Sequence, residues 1–466
     1  MAEFSGEEIL RITQGRFLQG NLKTIFQGVS TDSRSLKEGN IFIALKGKNF
    51  DGHDFIDEAL AKGAKGVIVE REIRKENNPD FCIFQVRDNL LALREIASYH
   101  RQRFNLPVVA VTGSSGKTTV KELVYHLLSP FFTILKSPHN YNNEIGLALT
   151  LLEMNSSHEI AVFELGINHQ GEMEILRDMV KPELAIFTNI GKTHLEFLGN
   201  PQGVLKEKIT LVKNFNKKNT VVFNVDDPLL RKWFLREGKR LSLISYGIEN
   251  EADFRAEFLT LSDREIRFKV KGVNFSLPLV GKHNIYNVLA AISTGSVFDI
   301  PIEEMALSLR DFHPPKMRMN VLHIRREGKE IIIIDDTYNA NPNSVISAVE
   351  ALSYFKARGR KILILADMLE LGDYSEDCHR EIGLFLRDQE IDMLLTFGKY
   401  TRVVGRMVIS SKNIKEVRHF SSHSEIVEFL KEDIRNGDVL LVKGSRGMQM
   451  ENVVQEILTE EKVSVI

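Results

Sequence analysis

Residues 107–119, Pro107-Val-Val-Ala-Val-Thr-Gly-Ser-Ser-Gly-Lys-Thr-Thr119, run from a β-branched stretch through a glycine-bounded turn into Gly116-Lys117-Thr118, which opens an amphipathic helix. The pattern predicts a strand, a tight turn and a helix in succession. Such a turn aims backbone N–H groups and the positive end of the helix dipole at one point, which suits a phosphate. Lys117 adds a point charge for β- and γ-phosphates, and the Thr118 hydroxyl is suited to ligate Mg²⁺. Gly113, Ser114, Ser115, Gly116, Lys117, Thr118 and Thr119 together form the candidate cofactor-binding segment. The common phosphate-loop spacing would put glycine where Val111 stands. The loop is therefore a shortened variant, unlike that of the common GTPases and motors.

At 466 residues the chain exceeds what one core supports, so about two to four domains are expected. Apolar content of 43% with 27% charged residues describes an ordinary globular protein. A net charge of −2 gives no general attraction to nucleic acid or anionic membrane. No apolar run is long enough to span a bilayer, and the acidic start (Glu3, Glu7, Glu8) lacks a signal-peptide layout. Cys82 and Cys378 are far apart and form no metal-type cluster, so reduced thiols and a cytoplasmic address are expected.

Three blocks follow from the patterning. Residues 1–85 carry short strands (Ile41–Leu45, Val67–Val69) and one helical stretch over 55–64. Residues 86–313 begin with a helical segment over 89–103 that leads to Pro107. Buried strands at 108–111, 160–164, 184–189 and 221–224 then alternate with helical patterns, which indicates βαβ units and a parallel sheet. Glu265-Ile-Arg-Phe-Lys-Val270 alternates instead, like a partly exposed antiparallel strand. Pro314-Pro315 marks the next boundary. Residues 314–466 resume the rhythm with strands at 331–334, 362–365, 393–396 and 439–442, a second doubly wound α/β domain. The fold class is α/β with a central, mostly parallel ATPase-type sheet and a Rossmann-like C-terminal domain.

Several polar groups stand at strand exits. Glu164 ends Val162-Phe-Glu164, and His194 follows Thr188-Asn-Ile-Gly-Lys-Thr-His194. Strand C-termini in open parallel sheets converge on the ligand crevice, so Thr118, Glu164 and His194 are candidates to surround a metal. Carboxylate and hydroxyl suit Mg²⁺, and imidazole is a less usual ligand for it. The plain alternatives are a helix-capping acid for Glu164 and a satisfied loop residue for His194. His139-Asn-Tyr-Asn-Asn-Glu-Ile-Gly146 is rich in amides that either shape a turn or contact a ligand. In Gly281-Lys-His-Asn-Ile-Tyr-Asn287, one of Asn284 and Asn287 could cap the helix while the other reads a base edge. Asp335-Asp-Thr-Tyr-Asn-Ala-Asn-Pro342 puts acids and amides at another strand exit, and Arg318 follows the proline pair. From spacing alone, Arg318 and Lys206-Glu-Lys208 read as solvated surface.

In this order the motifs resemble the Mur ligases, the ATP-dependent amide-forming enzymes of bacterial cell-wall synthesis. The resemblance extends over essentially the whole chain. Thr112–Thr119, Glu164, His194 and His283–Asn287 are similar to the general family and are partly shared with folylpolyglutamate synthases. Ser30-Thr-Asp-Ser-Arg34, Gly39–Leu45 and Asp51–Phe55 resemble the UDP-binding domain of the members acting on the third and later peptide residues. Asn140–Gly146, Asp336–Pro342, Leu365–Gly372 and Lys443-Gly-Ser-Arg446 resemble the branch that adds D-Ala-D-Ala, and the Asp-Asn-Pro-Arg signature of the third-residue branch is absent.

The resemblance implies transfer of the ATP γ-phosphate to the carboxylate of UDP-MurNAc-tripeptide, then attack on the acyl phosphate by D-Ala-D-Ala. It implies two Mg²⁺ ions. One lies on the Thr118 side, and the other is held by Glu164, His194 and a carbamylated lysine, which the motif places at Lys208 with Lys206 as the alternative register. Lys117, Lys208, His194 and Arg318 are the implied catalytic residues. Asn284 and Asn287 would contact adenine, Asp336 the ribose and Arg318 the phosphates. Ser33 and Arg34 would grip the UDP part, and Asn142 and Asn143 are carried over as substrate-binding. A cytoplasmic monomer with small-molecule substrates, no nucleic-acid partner and no membrane insertion is expected. The alternatives are a folylpolyglutamate synthase-like ligase, disfavoured by the first block, and a nucleotide-sensing switch, disfavoured by the Glu164–His194 pair.

Overall fold

The computed structural model describes residues 2–47, 49–73, 78–138 and 141–459, together with the strand Val463–Val465. His139 and Asn140 lie outside them. Packing divides the chain into two units: residues 1–110, 131–167 and 171–184, and residues 111–130, 168–170 and 185–466.

In the first unit a five-stranded sheet runs Arg16–Gln19, Cys82–Gln85, Gly66–Val69, Ile41–Ile43, Val29–Ser30. Its pairs are parallel except for the edge strand Arg16–Gln19. Glu3–Ser5 and Ile25–Gln27 form a separate antiparallel ribbon. The expected helix over 55–64 is shorter, Ile56–Ala61, because the turn Gly52–Phe55 before it is 3₁₀. A second helix, Gly6–Thr13, corrects the expectation of one. It starts at a capping box in which Ser5 Oγ accepts from the Glu8 N–H and the Glu8 carboxylate accepts from the Ser5 N–H. Asp88 caps Asn89–Arg101 through the N–H groups of Leu90 and Leu91, and the buried Arg101 guanidinium satisfies the Val180, Phe104 and Leu106 carbonyls. Both cysteines of the chain are buried and free.

A seven-stranded sheet carries the phosphate-loop motif, in the order 254–255, 242–247, 220–224, 184–187, 108–112, 160–164, 134–136. Every residue of Val108–Thr112 and Ile160–Glu164 is buried, as expected of strands covered on both faces. In the second unit the alternating stretch forms the middle of a three-stranded antiparallel sheet (Glu257–Leu261, Ile266–Val270, Val273–Leu277). Ile266, Phe268 and Val270 face inward and Arg267 is exposed.

The same unit holds a second seven-stranded sheet, ordered 416–420, 393–397, 361–366, 439–443, 329–336, 320–326, 463–465. The pairs from 416–420 through 329–336 are parallel, and Asn320–Arg326 is antiparallel to both its neighbours. Five helices, from Pro342–Ser353 to Glu451–Leu458, accompany it, which bears out the Rossmann-like expectation. Its central strand is preceded by Asp438, which has no exposed surface. The Asp438 carboxylate accepts from the backbone N–H groups of Arg360 and Arg435 and pairs with the Arg360 guanidinium at 2.7 Å. This one acid satisfies the entry of strand 361–366 and the turn before strand 439–443. Removing one partner of a buried, hydrogen-bonded ion pair costs about 3–5 kcal/mol. Asp438→Ala is expected to lose stability on that scale, read as a lowered denaturant midpoint, whereas an exposed-pair variant such as Lys415→Ala is expected to change it little.

Candidate active site

The phosphate loop is built as the sequence predicts, and its glycines are obligatory. Gly113 and Gly116 have φ of +151° and +82°. A Cβ at Gly113 would lie 1.8 Å from Thr188 Oγ1, and one at Gly116 would lie 2.5 Å from Asn287 Oδ1. The loop is thus wedged between the exit of strand 184–187 and the start of helix Lys282–Val297. Hydrogen bonds lock the first side. Ser114 N–H donates to the Asn189 carbonyl (2.9 Å), Ser115 N–H to Asn189 Oδ1 (3.0 Å), Thr188 Oγ1 to the Ser115 carbonyl (2.6 Å) and Gly191 N–H to Ser114 Oγ (2.8 Å). Behind this, Ile190 N–H donates to Asp227 Oδ2 at 2.7 Å, and Asp227 also caps helix Pro228–Glu237. Burial pushes the Asp227 carboxyl above the usual range despite these bonds.

Helix Lys117–Leu128 starts directly from Gly116 with no side-chain cap, so its first N–H groups open toward the loop. Lys117 Nζ donates to the Gly113 carbonyl at 3.0 Å, which folds the cation over the loop. Thr118 and Thr119 are buried at the base of the helix.

Arg318 reaches this loop. Its guanidinium donates to Thr118 Oγ1 at 2.7 Å and lies 4.0 Å from the centre of the Tyr338 ring. The plain surface reading of Arg318 is thereby overturned: stacking holds a planar cation over the residue expected to face phosphate and metal. Asn341 Nδ2 donates to Ser115 Oγ at 3.0 Å while its Oδ1 caps helix Pro342–Ser353. Asp336, in the same segment, accepts from the Met319 N–H (3.2 Å) and pairs with Lys443, which also donates to the Asn339 carbonyl at 3.0 Å.

The capping reading of Asn284 and Asn287 is corrected. Gly281 occupies the N-cap, and the two amides are buried. Asn284 Nδ2 donates to the Val280 carbonyl (2.8 Å) and Asn287 Nδ2 to Asn284 Oδ1 (2.9 Å), which leaves Asn287 Oδ1 against Gly116.

His194 adopts φ +53° after its strand and starts the short helix Leu195–Leu198. Its Nδ1 lies 2.7 Å from Glu370 Oε2, although the ring N–H direction misses the oxygen, so the contact is a close imidazole–carboxylate approach rather than an aligned hydrogen bond. Burial pushes the imidazole pKa down against the pull of Glu370, and the Lys117 and Lys208 charges push it the same way. The charges of Lys117 and Lys208 thus both act on the His194 imidazole. The solvated-face reading of Lys208 fails: it is 1% exposed at the end of helix Pro201–Lys208, while Lys206 is exposed. Among the described residues no three His, Cys, Asp or Glu side chains converge in metal-ligating fashion. The donors here are fewer and mixed, a buried hydroxyl at Thr118 and a neutral imidazole at His194, and they leave positions on a divalent cation for phosphate oxygens.

In the first unit, buried Glu164 ends its strand, accepts from Asn142 Nδ2 at 2.8 Å and donates its N–H to Ser137 Oγ at 3.2 Å. It caps no helix. Gly166 lets the Asn142 amide approach, since a Cβ there would meet it at 2.7 Å. Asn143 instead caps helix Glu144–Leu151 through the Gly146 N–H, so its side-chain oxygen serves the turn. Ser33 is buried and its carbonyl accepts from Lys62, while the exposed Arg34 guanidinium forks onto Asp32 (2.7–3.2 Å).

The Mur ligase family, catalytic domain, matches residues 25–101; the Mur ligase middle domain matches 111–295; and the Mur ligase, glutamate ligase domain, matches 317–446. The chain is 33% identical over 439 residues to the UDP-N-acetylmuramoyl-tripeptide–D-alanyl-D-alanine ligase of Bacillus subtilis, with 94% of each chain covered. The chain belongs to the Mur ligase family. MurF from Acinetobacter baumannii superimposes with a TM-score of 0.89 at 28% identity, covering 99% of this chain and 100% of that one. MurF from Thermotoga maritima, in complex with ADP, gives 0.79 at 29% identity over 92% and 96%. No helix among the described residues of this Mur ligase is long and apolar enough to cross a membrane.

Sequence reasoning did not single out Thr188, Asn189, Asp227, Tyr338, Asn341 or Glu370 in this Mur ligase. Thr188, Asn189, Tyr338, Asn341 and Glu370 sit in quoted segments, but nothing in their types separates a loop-holding amide from an ordinary turn residue.

His283 gives a pH handle on the same region. Its Nδ1 is buried though the residue as a whole is only half-buried, and desolvation pushes its pKa down to about 4, while Asp336 and Lys443 act on it in opposite directions. The unfolded ring takes up a proton near its ordinary value, so stability is intact above about pH 6.5 and falls as pH drops toward 4. The full loss is roughly 3 kcal/mol. His283→Gln is expected to flatten the fall in unfolding free energy between pH 6.5 and 4.5 relative to the parent, measured by urea unfolding at each pH.

Proposed function

We propose that this Mur ligase joins D-alanyl-D-alanine to UDP-N-acetylmuramoyl-tripeptide, coupled to cleavage of ATP to ADP and phosphate. The observation that carries the reading is the contact of Arg318 with Thr118, which sets a stacked cation on the phosphate loop beside Lys117. Near-complete coverage by ligases of that name supports the substrate pair. We assign residues 1–85 to UDP-sugar binding, 86–313 to ATP binding and 314–466 to closing over the amine substrate. We place the reaction in the cytoplasm, in keeping with buried free thiols, and in a monomer, because one chain carries every group invoked.

The chemistry needs two steps. A tripeptide carboxylate oxygen bonds to the γ-phosphorus as the bond to ADP breaks. The amine of D-Ala-D-Ala then attacks the acyl carbon, a proton leaves the nitrogen, and phosphate departs. Carboxylate and triphosphate repel each other, so fixed positive charge must stand where they meet. Lys117 exchanges its Gly113 carbonyl for β- and γ-phosphate oxygens. Arg318, kept planar against Tyr338, leaves Thr118 for the transferred phosphoryl group. Asn284 and Asn287 line the adenine side, Asp336 the ribose, and Ser33 with Arg34 the UDP moiety. Asn142 and Asn143 border the tripeptide, Asn142 by its side chain and Asn143 by shaping the turn. Thr118 and His194, with Glu164 and a carbamylated Lys208 as further ligands, would hold two Mg²⁺ ions, which supply charge neutralisation and in-line alignment.

Carbamylation turns the Lys208 cation into an anion. That reverses the charge beside His194. Lys208→Ala is expected to cut the rate by more than about 100-fold, unrestored by bicarbonate; full activity would remove Lys208 from the site. The reading as a whole is checked by phosphate release from ATP with UDP-MurNAc-tripeptide, with and without D-Ala-D-Ala. Release should depend on the dipeptide, and ligation of single amino acids in its place would overturn the assignment.

A further inference from the structure

We propose that Glu370 is a positioning residue for His194: its carboxylate holds the proton on Nδ1 and so presents the Nε2 lone pair to a divalent cation. The inference rests on the reading of His194 as a metal ligand. The contact is short, 2.7 Å from Nδ1 to Glu370 Oε2, and occupies the nitrogen that could otherwise turn to the ion. An imidazole ligand commonly has its second ring nitrogen fixed in this way by a carboxylate, which sets both tautomer and ring orientation.

The surroundings are built to bring these two side chains together. His194 and Glu370 both sit at positive φ, +53° and +62°, which non-glycine residues adopt only at a cost. The Glu196 N–H donates to the Glu370 carbonyl at 3.3 Å, so the two loops are joined by backbone as well as by side chain. Gly372, at φ +55°, lies so close to Glu196 that a Cβ would stand 2.9 Å from its Cα, and only glycine permits the approach. His194 follows strand Leu184–Phe187 of one sheet, and Glu370 follows strand Lys361–Ala366 of the other. The orientation of the imidazole is thus completed by a loop from the sheet that also delivers Tyr338 and Asn341 to the phosphate loop. With a cation held at Nε2 the Nδ1 proton would be more acidic, which would favour an aligned bond to Glu370.

The test compares Glu370→Ala with Glu370→Gln in the full chain, using Mg²⁺ as the metal. Gln keeps an oxygen acceptor for Nδ1–H but is a poor metal ligand. The ring ¹⁵N signals of His194, assigned through their loss in His194→Gln, should show the Nδ1–H tautomer in the parent and in Glu370→Gln, and a shift toward Nε2–H in Glu370→Ala. The Mg²⁺ concentration for half-maximal rate should rise roughly 10- to 100-fold in Glu370→Ala and only a few-fold in Glu370→Gln, with kcat at saturating Mg²⁺ far less affected. An Ala variant with parental ring signals and Mg²⁺ requirement overturns the proposal. A Gln variant as impaired as Ala also overturns it, since the carboxylate would then bind the ion itself. The ring signals need no turnover, so failure of the ligase assignment would leave this result readable.

Discussion

The short loop Gly113–Gly116 has too few backbone groups to define its own shape, and the rest of the site depends on what holds it. Thr188 and Asn189 take the Ser114 and Ser115 backbone on one side, and Asn287 closes on Gly116 from the other. The clamp explains why a loop lacking the usual first glycine is still rigid. Its conformation is imposed by neighbouring strand and helix ends, which press on two glycines whose positive φ no other residue would readily adopt. It also sets a cost: several loop N–H groups and carbonyls are already committed, so Lys117, Arg318 and the open helix N-terminus must supply the remaining attraction for anions.

The second contribution comes from far along the chain. Arg318, Tyr338, Asn341 and Glu370 all precede or follow strands of the C-terminal sheet, and each touches the phosphate loop, its helix or the His194 turn, either directly or through Arg318. A parallel sheet presents its strand ends on one edge, so residues distant in sequence arrive together without any local signal. This is also why Arg318 reads as surface in the sequence: only the partner at the far end of the contact gives the guanidinium a task.

Legibility followed burial pattern and backbone demands. The all-apolar strands, the alternating 266–270 strand and the Gly-bounded phosphate turn could be read because each is dictated by residues adjacent in sequence. The helix Gly6–Thr13 was missed although its signals are local, a capping box of Ser5 and Glu8 ahead of a short, strongly amphipathic stretch. Amides were ambiguous because one side chain serves either purpose. Asn143 caps a helix, its neighbour Asn142 donates to a strand-end carboxylate, and Asn284 and Asn287 bond to each other instead of capping. Lys208 was illegible in physical terms, since a basic residue at a helix end belongs in water until the fold puts it elsewhere.

Burial alone does not mark a lysine for modification, and Lys121 provides the contrast. It has no exposed surface, yet it sits on the phosphate-loop helix with the Glu122 carboxylate at 3.0 Å. Turning that cation into an anion would set two negative charges side by side, so the pair resists the change. At Lys208 the charge acts on His194 alongside that of Lys117, and both disfavour a protonated imidazole, since three positive groups would then repel one another. An anion at 208 relieves this repulsion and gives the imidazole a neighbour of the sign a divalent cation requires. The two buried lysines thus differ in what an anion in their place would do to a neighbour: at 121 it would oppose the Glu122 carboxylate, and at 208 it would ease positive charge at His194. That difference exists only after a helix end, a strand exit and the phosphate loop have been brought together by the fold.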